Sequence, residues 1–291
     1  MMRSPTLFRT GTEPRPTRIC VEASGGRARF SVLDQGLYLA PRPVHGGANP
    51  LHLRVALIGI HMMLLGGDDV RIEVSVGEGV TLEVVEPAGL VAYDAEGVPS
   101  RWSLQAELGP NAALIWDGAS FVAAAGSNVL RETRVHLAAG ARALVRETLV
   151  LGRSGESGGS LRSVTRLTGP AGDWLYDDLD LTGPRARAVG ILGGSKVLGG
   201  ATAAGWRPAE LPAADGADGD DAASGAAGDA APHRVRRFDL AAPGAVARSL
   251  AGDAHTADGG TGAVFTAWRD ELLQTAGVRG HRGAGQTDTP A

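Results

Sequence analysis

Between Val70 and Leu151 the chain repeats one pattern three times, and that pattern limits what it can fold into. Val70, Ile72, Val74 and Val76 sit two apart with Arg71, Glu73 and Ser75 between them, and after Gly77-Glu78-Gly79 come Val80, Leu82 and Val84. Period-two alternation over four to eight residues gives a strand with one buried face, because successive side chains of a strand point to opposite sides. The second unit has Trp102, Leu104, Ala106 and Leu108, a turn at Gly109-Pro110-Asn111, then Ala112, Leu114 and Trp116. The third has Thr133, Val135 and Leu137, a turn at Ala138-Ala139-Gly140, then Ala141, Ala143, Val145, Glu147 and Leu149. Each unit reads as a hairpin, and recurrence about every 30 residues is the range of stacked repeat architectures. The expected fold is mainly β, with stacked β-hairpins in a β-helix-like architecture and a few short helices near the C-terminus.

Two further hairpins are expected outside this region. One joins Ile19 and Val21 to Ala28, Phe30 and Val32 through Ser24-Gly25-Gly26, and the other joins LRSVTRL (161–167) to WLYDDLDL (174–181). The last strand puts Trp174, Tyr176, Asp178 and Asp180 on one face, expected to be a solvated edge. The apolar run VALIGIHMMLL (55–65) is too short to span a bilayer and reads as a buried strand or helix. AVGILGGSKVLGG (188–200) suggests another strand and turn. Near the C-terminus, PGAVARSLA (243–251) and GAVFTAWRDELLQTAG (262–277) carry helical spacings, with Gly277 as a stop.

Composition divides the chain into a flexible tail over 1–17, a single β domain over 18–278 and a flexible tail over 279–291. Residues 208–232 are mostly Ala, Gly and Asp with no basic residue and read as a disordered acidic insertion. Arg234, Arg236 and Arg237 follow it. A net charge of -4 gives no electrostatic case for nucleic acid. One cysteine, Cys20, excludes an internal disulfide, and the N-terminus has no apolar signal core, so the expected location is cytoplasmic, without a membrane.

Catalytic patterns fail one by one. GILGGSKVLGG lacks the Lys-Ser/Thr order of a phosphate loop. Gly155-Glu156-Ser157-Gly158-Gly159 has the letters of a nucleophile elbow, but a strand pattern follows it where a helix is required. His45, His52 and His61 have no zinc-ligand spacing, and His61 reads as a core histidine. Asp68 and Asp69 fit an ordinary turn as well as a ligand site. Glu147 is the informative acid. It is in phase with Ala141, Ala143 and Val145, so it occupies a core-facing slot, where a lone carboxylate is costly. It calls for a partner such as Arg153, in a structural ion pair, or for a polar interior path.

LLGGDD (64–69), VRIEVSVGEGVTLEV (70–84) and above all AAAGSNVLRETRVHLAAGARALVRETLVLGR (123–153) resemble the UreD (UreH) family of urease accessory proteins, and the order of ALVRETLVLGR (143–153) and LRSVTRL (161–167) resembles its actinobacterial members in particular. The likeness covers roughly 18–200, with a fainter match at AWRDEL (267–272). EPAGLVAYDAEG (86–97) departs from the family pattern of a Thr-Gln segment and a Lys-containing stretch, with Glu86 placed to fill the polar role. The resemblance implies a non-enzymatic scaffold for nickel insertion that binds the urease apoprotein subunits and UreF, and through UreF the GTPase UreG. It implies no tightly bound cofactor, only transient nickel(II) in an internal passage. By position Asp68 and Glu147 are the passage residues, with Arg153 as structural partner. Such a scaffold is expected to expose apolar patches and to be poorly soluble alone.

The alternative is a β-helix carbohydrate-active lyase or hydrolase, with Asp177, Asp178 and Asp180 as acids and Trp174 and Tyr176 as a sugar platform. A third reading is a purely structural, oligomerising β protein.

Overall fold

The computed structural model describes residues 14–210 and 235–282. The N-terminal tail up to residue 13, the acidic insertion from 211 to 232, Arg234 and the C-terminal tail from 283 lie outside the described residues. The strands, in chain order, are β1 (Thr17–Ser24), β2 (Arg27–Asp34), β3 (Leu39–Val44), β4 (His52–Gly59), β5 (Asp69–Val76), β6 (Thr81–Val85), β7 (Leu90–Ala92), β8 (Ser100–Leu108), β9 (Ala113–Ala123), β10 (Asn128–Leu137), β11 (Arg142–Leu151), β12 (Ser160–Gly169), β13 (Gly172–Asp180), β14 (Val197–Ala204), β15 (Arg236–Asp239) and β16 (Gly244–Ala251). A helix, α1 (Ala254–Arg282), closes the described chain.

The three repeats are coils of a solenoid, and their strands do not pair within a repeat. β5, β8, β10 and β12 lie parallel in one sheet, ordered β13-β12-β10-β8-β5-β1-β2. β4, β6, β9 and β11 lie parallel in the other, ordered β15-β16-β14-β11-β9-β6-β4-β3, with β7 also on β9. The turn inside each repeat carries the chain from the first sheet to the second, through about four coils. Gly79, Asn111 and Gly140 take φ of 68°, 54° and 71° at equivalent points of the three turns. The turns also stack, because Gly79 N–H donates to the Pro110 carbonyl and Asn111 N–H to the Ala139 carbonyl, each at 3.0 Å. Alternation and a Gly turn serve a hairpin and a solenoid corner equally well. What decides is pairing at long range: each strand bonds the equivalent strand of the next repeat, and the two strands of one repeat face each other across the core.

True hairpins occur at the two expected places. β1 pairs antiparallel with β2 and β12 with β13, and each closes one end of the first sheet. The interior is filled from both sheets by residues such as Ile72, Leu104 and Leu137 from one and Leu82, Leu114 and Trp116 from the other, all essentially inaccessible.

Two expectations near the C-terminus change. PGAVARSLA is strand β16, antiparallel to β14. Val246 and Leu250 are an even number of residues apart, so they share a face in a strand as readily as in a helix, and sheet pairing settles the conformation. The expected helix starts earlier, at Ala254, where Asp253 Oδ1 accepts the Thr256 N–H at 2.9 Å as an N-cap, and it runs through Gly277 to Arg282. The apolar run 55–65 is strand only as far as Gly59.

The outer face of the second sheet is covered by α1. Ala113, Ile115 and Leu144 pack there with Ala245 and Ala247 against Val264, Phe265, Trp268 and Leu272. Beside this apolar seam the Glu83 carboxylate, 3% exposed, receives Arg269 of the helix at 3.0 and 2.9 Å, Arg54 Nε at 3.3 Å and His52 Nε2 at 3.2 Å. His52 Nδ1 accepts the Ala48 N–H at 3.0 Å, so Nε2 carries the ring hydrogen and stands 3.2 Å from Glu83, off the line of a full hydrogen bond. Burial alone pushes the Glu83 carboxyl up. The hydrogens of His52 and Arg269 and the charges of Arg269 and Arg54 outweigh it and bring the pKa down to about 2. No helix among the described residues is long and apolar enough to cross a membrane.

Candidate functional site: a polar cluster between the sheets

The interior changes character along the stack. Across the first sheet, register aligns Val70 with Trp102, Trp102 with Arg131 and Arg131 with Ser163. The neighbouring column runs Ile72, Leu104, Thr133, Thr165. Each column starts apolar and ends polar, with all these side chains buried.

Arg131 is the centre of this polar region. Only 6% of it is exposed. Its guanidinium lies 4.3 Å from the centroid of the Trp102 ring and 5.8 Å from that of Phe121. Nη1 meets Glu147 Oε2 of the opposite sheet at 2.5 Å and approaches Thr133 Oγ1 at 3.4 Å. Its Nε is enclosed and finds no acceptor among the described residues. A charge this deep is tolerated because the ring face beneath it and the carboxylate beside it replace water.

Glu147 sits opposite an irregularity in the second sheet. β11 pairs Arg146 with Asp117 and Thr148 with Ser120, so Gly118 and Ala119 of β9 together face Glu147 alone. This is a bulge, which leaves a backbone group outside the ladder. Gly118 permits it, since a Cβ there would stand 2.5 Å from the Arg146 carbonyl oxygen. The Ala119 N–H donates instead to Glu86 Oε2 at 3.1 Å, and the buried Trp116 Nε1–H donates to Glu86 Oε1 at 3.0 Å. Glu86 is partly exposed as a residue, but these bonds turn its carboxylate inward. Burial pushes that carboxyl above its usual range, against the Arg131 charge and the two hydrogen bonds, which pull it down. The bulge therefore holds Glu86 through the Ala119 N–H and faces Glu147, which pairs with Arg131, and the Arg131 charge also acts on the Glu86 carboxyl. Glu86 also lines a groove of about 540 Å³ with His61, Met62, Met63 and Tyr93, which opens to the surface.

The expected partner of Glu147 is corrected. Arg153 lies in an exposed turn and pairs with Glu156 at 2.6 Å. That bond and the Ala125 and Arg153 backbone N–H groups hold the Glu156 carboxyl at about 2. Arg131 takes the place beside Glu147. The signal was present in the sequence, because Arg131 precedes Thr133, Val135 and Leu137 by even steps and so lies on their inward phase. Asp68 is buried at the corner leading into β5, in the sheet opposite Glu147, and accepts from Tyr38 Oη at 2.9 Å and from the Leu65 N–H at 3.0 Å. Those bonds support a turn in which Leu64 takes a φ of 62°. Among the described residues no group of three or more His, Cys, Asp or Glu side chains is placed to hold a metal ion.

The acids of the carbohydrate-enzyme alternative are ion-paired. Asp178 meets Arg162 and Asp180 meets Arg185, each at 2.6 Å, and Asp177 meets Arg248. The Arg162 hydrogen bond holds the Asp178 carboxyl low, and the Thr182 and Arg185 bonds do the same for Asp180. A glycosidase acid needs the opposite shift. Tyr176 is 61% exposed on the outer face, as expected for a solvated edge. Ser157 is followed by β12, so the elbow geometry is absent.

Comparison with known proteins supplies the family. A model described as the UreD urease accessory protein matches residues 63–281. The chain belongs to the UreD family. It is 42% identical over 258 residues to urease accessory protein UreD 1 of Streptomyces griseus, covering 88% of this chain and 92% of that protein. It is 33% identical over 247 residues to urease accessory protein UreD of a Parafrankia species, covering 79% and 80%. Both relatives are actinobacterial, as the order of segments 143–153 and 161–167 implied. In this UreD chain the matched region contains all three solenoid repeats, the Arg131 cluster and most of α1.

Proposed function

We propose that this UreD-family chain is a non-catalytic scaffold for nickel insertion into apo-urease. It bridges the urease subunits to UreF and, through UreF, to the GTPase UreG, and carries nickel(II) transiently between its two sheets. The observation that carries this reading is the Glu86–Arg131–Glu147 cluster inside a solenoid of a urease accessory family. Carboxylate oxygens suit a divalent ion that must be held weakly and released. Glu147 and Asp68 are the proposed passage residues, and Glu86 joins them. Exposed apolar side chains support docking of partners: Phe238, Leu250 and Ile191 stand around a groove of about 660 Å³.

Co-expression with urease structural subunits and nickel is the direct test. Urease activity should rise at least tenfold over cells lacking the chain, and affinity capture should recover UreF- and UreG-like proteins. Unchanged urease activity together with turnover of a glycan would replace this reading with the carbohydrate-enzyme alternative.

A further inference from the structure

We infer that the groove at the β15 end of the second sheet is the docking site for an apolar segment of a partner protein that carries carboxylates. The inference rests on the scaffold reading and adds the chemistry that one partner must present. The first observation is an uncovered stretch of inner face. The last strand of the first sheet, β13, is tied to β16 by the ion pair of Asp177 with Arg248, while β15 lies one strand further out in the second sheet. Register sets Leu250 beside the interior Leu198, and Arg236 beside Arg248. The alternate residues Ala245 and Ala247 face α1 on the other side. Leu250, Arg236 and, two residues on, Phe238 therefore continue the inner row. No strand of the first sheet reaches beyond β13 to cover them. Phe238 is 54% exposed, and Leu250 and Ile191 stand exposed around the same groove.

The second observation is charge. This groove adjoins a second cavity of about 540 Å³, with Leu181 and Ser195 shared between them. Arg236 and Arg248 line the groove, Arg187 and Lys196 line the cavity, and neither lining contains an Asp or a Glu. Arg187 and Arg236 have no carboxylate partner among the described residues, and Lys196 Nζ donates to a backbone carbonyl, that of Glu156, at 2.8 Å. The Glu156 carboxylate is turned away, to Arg153 and the Ala125 N–H. In a chain of net charge -4 this is a local excess of positive charge beside exposed apolar side chains. Such a patch marks an interaction surface. A wholly apolar partner would strip water from Arg236 without replacing it, which is costly, so the covering segment must bring carboxylates of its own. A concave groove also takes an inserted segment better than it takes a flat lipid surface.

The test is fluorescence anisotropy of the purified full chain with two labelled peptides that share the same Leu and Phe residues, one with Glu and the other with Lys at its polar positions. The Glu peptide should bind at least tenfold more tightly than the Lys peptide, and less tightly as salt is raised. Phe238→Ser and Arg236→Glu should each weaken it at least tenfold. Both residues are exposed on an edge strand, and either variant alone suffices if the other fails to fold. Arg27→Glu, exposed on the edge strand β2, should bind as wild type. Equal affinity for the two peptides would overturn the inference, as would wild-type affinity in both groove variants. So would a dimer that Phe238→Ser dissociates in sedimentation velocity, which would make a second copy the occupant. A tenfold gain in Glu-peptide affinity on deleting residues 211–232 would also overturn it, by making the chain's own acidic stretch the occupant, and so would binding to phosphatidylserine vesicles that Phe238→Ser abolishes. If the peptide pattern holds while Phe238→Ser raises urease activity as well as wild type in co-expression, the docking site stands and its part in the scaffold reading fails.

Discussion

Glu83→Gln should destabilise the protein by about 3 kcal/mol, because removing one member of a buried ion pair leaves its partners without a counter-charge. Arg269, Arg54 and His52 all converge on this carboxylate, and Arg269 is one polar link from α1 to the sheet, beside those of Asp258 to Thr148 and Thr275 to Arg142. The loss should be concentrated in the helix. Hydrogen exchange should speed up in α1 and β4 before the solenoid coils are affected, and urea titration should give the total. The same group predicts a pH dependence. Its folded pKa of about 2 lies below the ordinary carboxyl value of 4.5. Its contribution is therefore complete above pH 4.5 and fades as pH falls toward 2, by an amount on the order of 3 kcal/mol at most. Glu83→Gln should flatten that acid limb. An unchanged midpoint in urea, or an unchanged acid limb, would show that the Glu83–Arg269 pair does not hold α1 to the sheet.

Trp102→Ala should cost about 4 kcal/mol, in the range for emptying a large buried aromatic site. Trp102 is 1% exposed and sits between Val70 below and Arg131 above in its column. Its loss opens a cavity and also removes the ring face on which the guanidinium rests, at 4.3 Å. Tyr176→Ala, on the exposed face of β13, should change stability by no more than about 0.5 kcal/mol. Urea denaturation of the pair checks both. A cost below about 1.5 kcal/mol for Trp102→Ala would mean that the inter-sheet space collapses around the gap.

The β class, the positions of the turns and the inward faces were legible in the residues themselves. Gly79, Asn111 and Gly140 mark the corners, and the period-two rows from Val70, Trp102 and Thr133 mark the buried sides. Which strands pair was not legible, because pairing partners lie about 30 residues away and local pattern reports only the face of a strand, not its neighbour. The same limit misread β16, whose Val246 and Leu250 satisfy two periods at once. Glu147 was found because a carboxylate in an apolar row is a conflict that must be resolved. Its partner was not, because Arg153 is near in sequence whereas Arg131 is reached only across the gap between sheets. Glu86 was noticed as a departure from a family pattern. Its inward bonds depend on a bulge at Gly118 and Ala119 that no local signal announces, since a glycine in a strand also marks ordinary close packing.

The carboxylates at the bulge bear the weight of the nickel reading, so their removal is the decisive measurement. Urease activation should be followed in cells co-expressing the urease subunits and partners with Glu86→Gln/Glu147→Gln, at matched levels of chain and of recovered complex. Activation should fall at least tenfold, with partial recovery in excess nickel, and Asp68→Asn measured alongside reports whether the corner of β5 belongs to the same route. Full activation by the double variant at limiting nickel would contradict the account and leave the cluster a structural ion pair.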